Sequence, residues 1–103
     1  MSNADWTITQ EHIDAAVATS RKHALASPLV PAPWLGRNVW LKLELELPTG
    51  SFKVRGGLTF LAQHYAAAKK QGLIAASAGN HGLGLAYAAR HRCVSSYPRG
   101  WRT

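Results

Sequence analysis

Between Thr9 and about Ala26 the chain places Ile13, Ala16, Val17 and Ala24 at helical spacing, with Thr9 as cap and Glu11 and Asp14 near the positive end of the dipole. The pattern predicts an amphipathic helix. "SPLVPAPWLG" follows, with three prolines between 28 and 33, which excludes helix interior and central strand and predicts an extended connector. Val39, Leu41, Leu43, Leu45 and Leu47 then alternate with Trp40, Lys42, Glu44 and Glu46, the period of a strand with one polar face, ended by Pro48. From about Ser51 to Gln71 the spacing of Leu58, Leu61, Ala62, Tyr65 and Ala68 predicts one helix, with Lys69 and Lys70 in its last turn and Gly72 as its stop. "LIAASA", 73–78, is apolar without alternation, as in a parallel strand buried on both faces. After Gly79 and Asn80 the helical period returns through Leu83, Leu85, Ala86 and Ala89.

Helix, strand, helix, strand, helix is the opening of an α/β fold, here an incomplete three-layer α/β/α arrangement with a mostly parallel sheet. "VSSYPRGWRT" does not supply the apolar strand that should come next. The expected division is 1–36, the N-terminal helix and proline-rich connector; 37–92, a partial α/β domain; and 93–103, an atypical basic tail.

Composition changes this picture little. With 103 residues, 47% hydrophobic and 17% charged, the chain is at most one ordinary domain, and no apolar run nears the ~18 residues of a membrane span. The N-terminus lacks a basic region leading into an apolar stretch, and the lone Cys93 cannot form an internal disulfide, so a cytoplasmic protein is expected. The net charge of +7 raises nucleic acid as a partner, but Arg90, Arg92, Arg99 and Arg102 carry much of it without an accompanying motif. Nucleic acid is therefore not expected, nor is a membrane. The five histidines show no metal-ligand spacing, so no metal is expected.

Two segments carry candidate chemistry. "SAGNHGLG", 77–84, sits where a strand gives way to a helix, the place where free backbone N–H groups and the dipole form an anion site. Its glycines fit neither a dinucleotide fingerprint nor a phosphate-binding P-loop, and close helix packing explains them equally well. "PTGSFKVRGG", 48–57, places Lys53 at a helix start beside Phe52 and two residues before Arg55. Burial, nearby positive charge and the dipole all favour a neutral, reactive amine. A solvated lysine at a helix start is the ordinary alternative, and position alone does not separate the two.

The pair of segments, with "SPLV" at 27–30 and "LKLE" at 41–44, resembles the N-terminal part of the fold-type-II, tryptophan-synthase-β-like pyridoxal-phosphate enzymes, in particular the serine/threonine dehydratase branch, over about Thr7 to Arg90. The resemblance implies a β-elimination that converts serine or threonine to a 2-oxo acid and ammonia. It implies that Lys53 forms the Schiff base with pyridoxal phosphate and later removes the Cα proton, that Phe52 packs near the ring, and that Asn80 bonds its phenolic oxygen. Ser77, Gly79 and His81 would hold the substrate carboxylate. Racemases of this family carry a serine where this chain has Ala78, so elimination is favoured over racemisation. A homo-oligomer is compatible with the family. Its members also carry a downstream phosphate-binding loop that these residues lack, so a truncated or frameshifted product is expected, with a non-catalytic fragment acting through chain association, or a serine racemase-like enzyme, as the alternatives.

Overall fold

The structure is a computed structural model and describes residues 7–92, 94 and 96–99, the last four by their backbone. Most of the 93–103 tail lies outside the described residues. Helix α1 (Gln10–Lys22) begins where the pattern placed it. Thr9 accepts a hydrogen bond from the His12 backbone N–H, while the His12 ring Nδ1 accepts one from the Thr9 backbone N–H, which satisfies two donors at the helix start. The helix stops at Lys22, short of Ala26, and Ala24 takes a left-handed φ of 52°.

The proline-rich segment contributes a strand after all. β1 (Leu29–Pro31) pairs antiparallel with β2 (Trp40–Lys42). The strand expected over 39–47 is thus three residues long, and 3₁₀ turns at Glu44–Glu46 and Pro48–Gly50 replace the rest. The ladder ends for a local reason: the Leu43 N–H donates to the Pro28 carbonyl at 2.9 Å, and Pro28 has no N–H to return. Alternation therefore persists in the sequence where pairing has ceased, and Leu45 points outward, 67% exposed.

Helix α2 (Lys53–Gln63) starts two residues later than expected, and the single helix over 51–71 is broken at His64, where φ is −120°, leaving α3 (Tyr65–Gln71) as a separate short helix. No glycine or proline marks that break. β3 (Leu73–Ala76) follows, with Leu73 and Ala75 buried and Ile74 and Ala76 exposed, so this strand covers one face only where burial on both was expected. Helix α4 (Asn80–His91) leads to β4 (Ser96–Arg99), which lies parallel to β3 from Leu73↔Ser96 to Ala76↔Arg99. Here the expectation of no further strand is corrected: backbone pairing needs no apolar side chains, and Ser96–Arg99 supplies it.

The described strands thus form two two-stranded sheets, one antiparallel and one parallel, in an α/β chain. The core lies where α2 and α4 cross over β3. Leu58, Leu61 and Val54 from α2 are its largest fully enclosed side chains, packed with Leu85, Ala88 and Ala89 of α4, Leu73 and Ala75 of β3, and Leu25. Each buried aliphatic side chain contributes about 1.5–3 kcal/mol, so this crossing dominates the stability of the chain and fixes α2 relative to α4.

Candidate active site

Lys53 is the first residue of α2, and the turns that deliver it are strained. Thr49 and Gly50 both have positive φ, 70° and 77°, and Thr49, a β-branched residue that strongly disfavours that region, also buries its hydroxyl without a partner. Ser51, buried, then accepts a hydrogen bond from the Lys53 backbone N–H at 3.3 Å. The Lys53 side chain is exposed, contrary to the burial anticipated for it, and its Nζ lies 5.0 Å from the centre of the Phe52 ring. Phe52 is itself 57% exposed.

Arg55 does not act on Lys53 as a lone neighbouring cation. Its guanidinium grips the Glu44 carboxylate through Nε at 2.6 Å and Nη2 at 3.0 Å. The Ser27 hydroxyl donates to the same carboxylate, and Lys42 donates to the Ser27 carbonyl oxygen. The Arg55 and Ser27 hydrogen bonds hold the Glu44 carboxyl at about 2, well below its ordinary value, and the same pairing raises Arg55. This clamp ties the turn after β2 to the first turn of α2. It was missed in the sequence because the partners are separated by eleven positions across irregular backbone; the opposite charges alone carry no register.

At the start of α4 the loop folds around Ser77. Its hydroxyl oxygen accepts from the Gly79 N–H at 3.1 Å and the Gly82 N–H at 3.0 Å, and the hydroxyl faces the Gly79 carbonyl at 3.4 Å. Ser77 therefore does the work of a helix cap from two residues outside it. Asn80 and His81 are exposed at the first two positions of α4, where backbone N–H groups have no helical acceptor. Gly79 has nothing within 4 Å of where a Cβ would be, Gly82 stands against the Ser77 side chain at 3.3 Å, and Gly84 is pressed on Lys53. Close helix packing thus accounts for Gly84 alone; Gly82 makes room for the Ser77 side chain of its own loop, and Gly79 leaves open space.

A cleft of about 810 Å³ joins the two segments. Phe52, Lys53, Phe60, Leu73, Ile74, His81 and Leu85 are among its lining residues, with Glu44 and Arg55 at one side. Of the residues singled out from sequence, it brings together Lys53, Phe52 and His81; Asn80, Gly79 and Ser77 belong to the loop from which His81 projects and are not on its wall. The remaining histidines are engaged elsewhere: His23 meets His91 edge to face at 4.9 Å, and His64 lies against Phe60 at 4.4 Å.

The chain is similar in sequence to several known proteins. L-threonine ammonia-lyase of Thermotoga maritima is 40% identical over 87 residues, covering 81% of this chain and 22% of that protein. Mitochondrial threonine dehydratase of Saccharomyces cerevisiae is 49% identical over 57 residues, 55% of this chain and 10% of that protein. Serine racemase of Bos taurus is 42% identical over 65 residues, 60% of this chain and 20% of that protein. The matched stretch makes up from 10% to 26% of the length of the curated relatives. A family model described as pyridoxal-phosphate dependent enzyme matches residues 20–99, a span holding both the lysine segment and the asparagine loop, and the chain belongs to that family.

Proposed function

We propose that the chain is part of a pyridoxal-phosphate-dependent serine/threonine dehydratase, and that the complete protein has the three-layer arrangement with a mostly parallel sheet. The observation that carries the reading is the shared cleft: the Lys53 amine and His81, at the first turn of α4, line one space with apolar walls. The residues present fit the cofactor. An accessible primary amine meets its aldehyde, Phe52, Phe60 and Ile74 offer a surface for a planar ring, and the positive end of α4 favours an anion beside it. When bound, pyridoxal phosphate supplies an aldehyde and an electron-withdrawing ring that accepts the electron pair left at Cα.

The chain's own residues do the rest. Lys53 would hold the cofactor aldehyde, and its amine would take the proton from Cα of the amino acid. Phe52 would cover one side of the ring, and Asn80, beside His81 at the start of α4, would bond the phenolic oxygen. Ser77 keeps the loop closed on itself by holding the Gly79 and Gly82 N–H groups, and the N–H groups of Asn80 and His81, at the first turn of α4, would meet the substrate carboxylate. Ala78 offers no hydroxyl to return a proton to the opposite face, which supports elimination over racemisation.

The test is the visible spectrum of the chain mixed with pyridoxal phosphate, with Lys53→Ala as control. A new visible band lost in the variant is expected; no band from a folded chain would refute cofactor binding by Lys53. Association with a second polypeptide is the alternative reading, supported by Ile74, 62% exposed on β3. A dimer that stays colourless with pyridoxal phosphate would favour it.

A further inference from the structure

Helices α2 and α4 cross at two glycines, and the crossing falls on the lysine itself. A Cβ on Gly84 would lie 2.8 Å from both the carbonyl carbon and oxygen of Lys53 and 3.0 Å from the Val54 nitrogen. A Cβ on Gly57 would lie 2.7 Å from the Gly84 carbonyl oxygen. Every one of these contacts is backbone, so no rotamer change can relieve it. Gly84 also stands four residues beyond Asn80, about 6 Å along the same helix. One close contact therefore sets the Lys53 main chain against the helix whose first turn carries Asn80 and His81. The Lys53 side chain is exposed, with the Phe52 ring as its neighbour, so the placement of its amine is inherited from its backbone.

We propose that Gly84, with Gly57, is a positioning residue for Lys53: the glycine crossing sets the distance between the lysine and the asparagine loop. This rests on the role assigned to Lys53 above. An alanine at either glycine forces the two backbones apart by about 1 Å, a displacement that costs on the order of 100-fold when it falls on reacting groups. The Gly84 clash falls directly on the Lys53 main chain, while the Gly57 clash reaches the lysine through Gly84.

The experiment treats the full chain with pyridoxal phosphate, traps the lysine adducts by borohydride reduction, and compares by peptide mass spectrometry the yield on Lys53 with that on Lys22, Lys42, Lys69 and Lys70. The ratio is internal to each molecule. Wild type is expected to favour Lys53. Gly84→Ala and Gly57→Ala should each lower the ratio at least about tenfold while circular dichroism shows helices retained. Ala62→Gly, which weakens α2 on its exposed side, should leave the ratio unchanged, because lost stability alone does not move it. Retention of the preference in both glycine variants overturns the proposal, and so does loss of the helices in both, which would make the crossing a folding element only. A wild-type chain without preference for Lys53 defeats instead the assignment of the lysine, and the positioning role falls with it.

Discussion

Replacing Glu44 by glutamine removes one charge from the clamp that holds the first turn of α2 and leaves its shape nearly unchanged. A carboxyl held at about 2 against an ordinary 4.5 sets an upper bound of roughly 3 kcal/mol on what the folded state gains from ionising it. Both side chains remain partly in solvent, Arg55 28% and Glu44 26% exposed, and screening reduces the expected loss at neutral pH to about 1–2 kcal/mol. The sign follows from the lowered value. As pH falls, the unfolded chain takes up the proton first, so the contribution is complete above about pH 5, declines below it, and is gone below about 2. More than half has disappeared by about pH 3. Urea unfolding followed by circular dichroism between pH 7 and pH 3 measures this directly for wild type and Glu44→Gln. The two stability curves should lie about 1–2 kcal/mol apart at pH 7 and converge toward pH 3. Curves that stay parallel, or a gap at pH 7 under about 0.3 kcal/mol, would refute the argument and make the pair an exposed contact of no consequence.

Two further outcomes are expected. Ser77→Ala leaves the Gly79 and Gly82 N–H groups without their acceptor, costing about 1 kcal/mol and lowering the melting temperature by about 4–8 °C; an unchanged melting temperature would mean that water replaces the hydroxyl at no cost. Burial, and next the neighbouring His91, Lys22 and Arg92, push His23 below its ordinary 6.5. The unfolded chain therefore binds this proton first and stability falls as pH drops through that value, so His23→Gln should flatten the pH dependence of stability between about pH 7 and 5, and an unchanged slope would count against it.

The legible parts of this chain are those written in local physics. Thr9 ahead of an amphipathic run names a helix start, and the capping pair with His12 realises it. The apolar spacing from Leu83 to Ala89 names α4, and the strand-to-helix turn carrying Ser77, Gly79 and Asn80 marks where that helix begins before any neighbour is known. Periodicity misled where pairing or continuity depended on something distant. Leu43 to Leu47 alternate like a strand but run out of a partner at Pro28, and the break at His64 interrupts a spacing that would serve one helix as well as two.

The sequence by itself determined the residue types that can do chemistry, Lys53 at a helix start and the Asn80 loop at another, because caps, dipoles and turns are properties of a few consecutive residues. Only the tertiary structure decided that Lys53 and His81 share one cleft while Asn80 stays off its wall, that Arg55 is spent on Glu44, and that Gly57 and Gly84 bring the lysine's own carbonyl against α4. The cleft and the glycine contact depend on how two helices far apart in sequence cross, and the Arg55–Glu44 pair on how irregular backbone folds back on α2; both are set by backbone clearance and packing, which no single segment records.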